Sequence, residues 1–296
     1  MVIFSALHVV VRSWRMVLWV YFVHFLVGLL VLLPAYATLR SEAGSSLAYL
    51  KLLNSFDYTV YSDFMQNSGS AIDPLLAVGS WLGVLYLILS VFFSGGMLLY
   101  VSPSAEHLRQ AFRLSWFLSA SVECFGRFFR LFLSIAGILL ALAFVGMFFA
   151  GLLAYSLSDL LNEQSMIYLL MACFFVFAFF ALLVICLGDY AKILLFRQDD
   201  TRVFLAFSQA LRFFLAHFRT IFGYYLLLMS IGAGCFAIYF LIESWIVTSG
   251  WLPIILLFIV QQLFIFSRVA LKVWTLATAM QVIVHHEAQP TPYQPI

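Results

Sequence analysis

Six ionisable side chains interrupt otherwise apolar stretches of this chain: His24, Asp189, Lys192, Glu243, Arg268 and Lys272. An ionised group at mid-membrane costs about 2.5–3.5 kcal/mol on insertion scales, so each of these needs a partner or a purpose. Asp189 is the one acid deep inside an apolar run; Glu243 sits near the outer end of its own. The expected arrangement is an ion pair between Asp189 on a fourth span and Arg268 on a sixth, with Lys192 one helical turn away. Such a pair either clips two helices together or lines an aqueous cavity or proton path. Lys272 can carry its ammonium to the interface on its own stem. His24 has no second histidine at matching depth. Its expected role is an interhelical hydrogen bond, the alternative being axial ligation of a pigment, or of a haem shared with a partner.

The polar constellations of membrane enzymes are missing. The chain contains no HExxH zinc-protease motif, no GxSxG elbow and no Walker A loop. Cys124, Cys173, Cys186 and Cys235 form no CxxC pair, and buried cysteine ordinarily serves as a small hydrophobe. His285-His286, near the C-terminus, is thin support for a metal. The expectation is therefore a protein without catalysis, metal or cofactor.

The elements that must position these groups follow from composition. Of 296 residues, 65% are hydrophobic and 9% charged, against about 25% charged in a soluble domain. Mean hydropathy is +1.07. A surface of this composition needs lipid as its solvent. A net charge of +2 supplies no basic patch for nucleic acid. A bilayer core takes about 20 apolar residues per helix, and six runs qualify: 16–37, 75–100, 128–156, 166–196, 220–247 and 251–280. The first run is too long for a secretory leader and reads as a retained span. Thirteen of the fifteen Lys and Arg residues fall on one side of this arrangement, with only Arg40 and Lys51 on the other. Both termini are thus expected in the cytoplasm.

Between the spans, residues 105–126 and 199–218 mix arginine with Phe, Leu and Ala at helical spacing, as amphipathic helices on the cytoplasmic leaflet would. The N-terminal FSALHVVVRSWR looks like a third copy. Residues 38–74 carry a similar pattern and predict one or two short interfacial helices over the outer end. Setting Arg15 on Arg219 also sets Ala6 on Ala210, Leu7 on Leu211 and Tyr21 on Tyr225. The even spans end comparably, at Phe93-Ser94-Gly95, Leu187-Gly188-Asp189 and Phe266-Ser267-Arg268. We read three units, 1–100, 101–198 and 199–284, each an amphipathic helix followed by a two-span hairpin. In the first unit Gly95, with Gly96, contributes close helix packing where the other units carry charge.

Three hairpins invite comparison with mitochondrial carriers, whose Px[DE]xx[KR] signature is absent. The FSGG end of span two, the GDYAKI end of span four and the following ALRFFLAHFRTIFGYYLLL resemble uncharacterised bacterial six-helix membrane proteins. These form domains of unknown function, similar to the membrane portion of some glycerophosphodiester phosphodiesterases. The resemblance implies the six-span fold and a bacterial inner membrane, and carries over no functional residue. Phenylalanine, 33 residues, encircles whole helix turns, as in 174–180. Such surfaces suit lipid, quinone, pigment or neighbouring subunits. A polar, proline-rich tail, 285–296, offers Pro290, Pro292, Tyr293 and Pro295 to a docking partner. Two functions remain from this reading. One is a non-catalytic subunit of a larger inner-membrane complex, packed against lipids and other membrane subunits. The other is a transporter or flippase for a lipid or other apolar molecule.

Overall fold

A computed structural model describes residues 2–43, 57–103, 112–158, 160–198, 202–246 and 250–287. Among them the chain forms eight helices and no strand. These are α1 (Val2–Arg12), α2 (Trp14–Ala43), α3 (Tyr58–Val101), α4 (Leu114–Ser156), α5 (Glu163–Gln198), α6 (Val203–Ala216), α7 (Phe218–Trp245) and α8 (Trp251–Glu287). Six of them, α2, α3, α4, α5, α7 and α8, are long and apolar enough to cross a membrane. The chain is a polytopic all-α membrane protein.

The helices pair as hairpins, α2 with α3, α4 with α5 and α7 with α8. Each even span also packs against the segment that opens the next unit. The α3 helix lies on the first turns of α4, α5 on α6, and α8 returns to α1. That last contact closes a ring of three units around the even spans α3, α5 and α8, which touch one another at its centre. The return to α1 is tied by polar contacts: Trp274 Nε1 donates to the Ile3 carbonyl at 3.1 Å, and Ser5 Oγ donates to Gln281 Oε1.

The expected amphipathic segments behave in two ways. The first and third are separate helices ending in bends, at Ser13 and His217. The register that sets Arg15 on Arg219 sets these two bends on each other. Around them, Ala6, Val10 and Val17 match Ala210, Phe214 and Ile221, all buried. At His217 the ring Nδ1 lies 3.2 Å from the Phe213 carbonyl that its own backbone N–H also approaches, a local competition that bends a helix. Of the middle segment, expected as a separate helix before a span at 128, the part from Leu114 onward is instead one piece with that span, and residues 105–111 lie outside the described chain. The α4 helix runs unbroken for 43 residues, about 65 Å at 1.5 Å per residue. Its Phe117, Ser121, Cys124 and Phe128 form the buried stripe.

That continuity depends on close approach. A Cβ placed on Gly95 would lie 2.6 Å from the Ala120 carbonyl oxygen and 3.0 Å from Cys124 Cβ, and one on Gly96 would lie 2.4 Å from the Phe117 ring. The Gly96 N–H donates to Ser121 Oγ at 3.2 Å. Gly95→Ala therefore has to push backbone from backbone. Overpacking of this kind costs about 1–3 kcal/mol, more than the roughly 1 kcal/mol that alanine gains over glycine in a helix. Gly188→Ala meets only the side chain of Ile135, whose terminal Cδ1 is the one atom too close and can rotate away. In thermal unfolding of the purified protein in detergent, Gly95→Ala should melt clearly lower than the natural protein and Gly188→Ala should not.

Elsewhere the helices overrun their expected limits. The α3 helix starts at Tyr58, where Asp57 accepts from the Thr59 and Val60 amides, and continues straight into its span. Residues 58–74 are therefore an extension of that span instead of a separate interfacial helix; residues 44–56 lie outside the described chain. The α8 helix continues through His285 and His286 to Glu287, beyond the expected end at 280, because Val282 and Ile283 are buried in the core. The tail residues Pro290, Pro292, Tyr293 and Pro295 lie outside the described residues.

Fully buried side chains concentrate at the basic end. In α2 the last is Val20, in α4 Leu131 and in α7 Leu228; in α3 the first is Val91, in α5 Cys186 and in α8 Val269. Toward the opposite end every described side chain is wholly or partly exposed. Three hairpins thus rise from one packed base.

Candidate functional site

The intramembrane charges meet where this base ends. On α5, Asp189 and Lys192 are three residues apart and lie on one helix face. Their side chains form an ion pair with Lys192 Nζ 2.9 Å from Asp189 Oδ1. The side chains are 20% and 17% exposed respectively, so the pair is largely withdrawn from solvent. The expected Asp189–Arg268 pair does not form. Arg268 is exposed and makes no ion pair among the described residues. One turn further toward the basic end of α8, Lys272 is turned inward and donates to Ser90 Oγ of α3. It feels the charges of both Lys192 and Asp189. It is Lys272, expected to reach the interface alone, that enters the cluster.

A cavity of about 350 Å³ opens on this cluster between α5, α7 and α8. Asp189, Lys192, Lys272, Tyr225 and Thr275 supply its polar wall, and Leu228, Leu271 and other aliphatic groups the rest. A tighter space beside it adds Tyr190, Tyr224 and Thr278 to Asp189 and Tyr225. The Thr278 hydroxyl there is buried without a hydrogen-bond partner. The cavity wall therefore carries two cationic side chains, Lys192 and Lys272, against one carboxylate, and the exposed Arg268 stands one turn along α8 from Lys272, outside that lining.

No family model, curated protein or solved structure matches this chain. Its function has to be argued from its own geometry.

His24 of α2 packs against Tyr86 of α3 in a tilted contact, with ring centroids 4.8 Å apart and planes at 49°. Its Nε2 is buried without a hydrogen-bond partner, so the histidine meets its neighbour helix through this ring contact instead of the expected hydrogen bond at Nε2. It lies within the field of Lys272 and Arg268. No group of three or more metal-ligating side chains occurs among the described residues.

Three polar residues escaped the sequence reading. Ser90 receives the lysine, Tyr225 and Thr275 line the cavity, and all three are common residue types in an apolar span. A fourth feature had a visible signal. Gln261-Gln262 is a polar pair in a long apolar run, and Gln262 Oε1 accepts from Tyr21 at 2.8 Å, joining α8 to α2.

Proposed function

We propose that this protein is a non-catalytic carrier that admits an amphiphilic molecule between its hairpins and moves it within or across a bacterial inner membrane. The observation that carries this reading is the cavity that reaches Asp189. A charge pair serving only as a clip would be enclosed by packed side chains, because an ion pair contributes most when its lone pairs and protons are all satisfied. Here the pair, a second lysine, a tyrosine and a threonine face a common space large enough for a small polar group. The wall above it is aliphatic and aromatic, suited to hydrocarbon. The basic end, with its arginines and amphipathic helices, would lie at the cytoplasmic face.

Reconstitution tests this directly. Proteoliposomes containing labelled phospholipid in both leaflets should expose the inner-leaflet label to an added quencher faster than protein-free liposomes do. Equal rates for several lipid classes would overturn the carrier reading.

A second reading, a structural subunit of an inner-membrane complex, is favoured by aromatic faces that stand exposed among the described residues, such as Phe144, Phe148 and Phe174. Purification in a mild detergent followed by mass spectrometry separates the two. A fixed stoichiometric set of other membrane subunits would select the second reading.

A further inference from the structure

The charge imbalance at the cavity has a chemical consequence. Asp189 is satisfied by Lys192 at 2.9 Å. Lys272 has only the neutral hydroxyl of Ser90, and Arg268 has no ion-pair partner among the described residues. Arg268 and Lys272 are four residues apart, so they stand one above the other on a single face of α8. The upper is exposed and the lower half-buried. A cation withdrawn from water, as Lys272 is, calls for a counter-charge, and the one carboxylate on the cavity wall, Asp189, is already paired with Lys192.

We infer that Arg268 and Lys272 bind the phosphate group of an anionic phospholipid, whose acyl chains lie between the hairpins above the packed base. This rests on the carrier reading and names its substrate class. Guanidinium and ammonium donors form charge-assisted hydrogen bonds to phosphate oxygens, shorter and stronger than neutral ones. Arg268, reached first from the open side, would capture the headgroup. Lys272, fixed by Ser90, would hold it at the cavity mouth. The Asp189 carboxylate on the same cavity wall would repel a phosphate that moved toward it, keeping the headgroup beside the two cations. A neutral lipid gains nothing from this arrangement, and a free phosphate ion leaves the apolar wall above uncovered.

Native mass spectrometry of the full-length protein in detergent tests the inference. The probes are phosphatidylglycerol, diacylglycerol with the same chains, and inorganic phosphate. Phosphatidylglycerol should bind saturably and the other two far more weakly. Lys272→Met and Arg268→Gln should each weaken phosphatidylglycerol by about tenfold or more, the usual worth of a charge-assisted hydrogen bond. Lys272→Arg should retain binding. Without lipid, Lys272→Met should melt at or above the natural protein, since it removes a withdrawn cation; this separates lost binding from misfolding. Equal binding of diacylglycerol, or binding unchanged in both variants, would overturn the inference. Inorganic phosphate binding as tightly as the lipid would overturn its lipid part. Transport that persists at full rate in both variants would remove the headgroup site yet leave the carrier reading standing. Selective binding without transport would do the reverse.

Discussion

Asp189→Leu should be among the most damaging single changes in this protein, lowering stability by about 3–5 kcal/mol. That is the usual cost of removing one partner from a withdrawn ion pair and stranding the other. Here it strands Lys192 and removes the one carboxylate whose charge reaches Lys272. The measurement is thermal unfolding in detergent, with membrane accumulation as a second readout. Asp189→Leu combined with Lys192→Leu should recover much of the loss, because a pair replaced by apolar side chains of similar size is often nearly neutral. The recovery should stop short of complete, since Lys272 still loses the field of Asp189. A double-mutant cycle adds a sharper discrimination. Asp189 and Lys192 should couple, whereas Asp189 and Arg268 should add within about 0.5 kcal/mol, as sites without direct contact do. Coupling of Asp189 to Arg268 as strong as that to Lys192 would refute the assignment.

The difference between those two partners shows what the sequence could and could not convey. Spacing alone places Lys192 within reach of Asp189, because three residues along a helix fix a distance whatever the helix packs against. Choosing between Arg268 and Lys272 requires the rotation of α8 about its axis. In soluble helices an apolar stripe reveals that rotation, but α8 is apolar on most of its faces and carries no such marker. The spans themselves were legible because bilayer thickness converts directly into a run of apolar residues. Their ends were less so. Residues 114–127 read as an amphipathic helix of their own, and the close seat of Gly95 and Gly96 on Phe117, Ser121 and Cys124 makes them the first turns of α4. The register that sets Arg15 on Arg219 also places the bend at Ser13 on the bend at His217. What it could not convey is the closing contact of α8 with α1, the last and first of the described helices.

Closure gives one substructure two tasks. The even spans α3, α5 and α8 present Ser90, Asp189 and Lys272 where they converge, while their basic ends are wedged by the opening segments of the three units. The polar site therefore sits on the last turns of the packed base, where buried side chains give way to exposed ones. Above it the hairpins still meet at single side chains, Tyr21 with Gln262 and Phe179 with Phe222.

If the ring is one cooperative base, breaking its closing contact should unfold more than α1. Ala6 is fully buried where α1 meets α8, whose Ala279, Met280, Val282 and Ile283 are buried as well. Ala6→Asp would place a carboxylate in this contact with no cation in a position designed to receive it. Burying an unpaired charged group costs several kcal/mol, or forces it to bind a proton at neutral pH. The expected loss exceeds about 3 kcal/mol, in the range that marks a disrupted core. Ala210→Asp, at the matching position where α6 meets α5, should cost a similar amount. Phe4→Asp changes the same helix as Ala6, but its side chain is 77% exposed, and it should cost far less. Hydrogen exchange of Ala6→Asp should rise across the basic ends of α3 and α5 as well as α8. Exchange that rises in α1 alone would show that the helix is an appendage and the base stands without it.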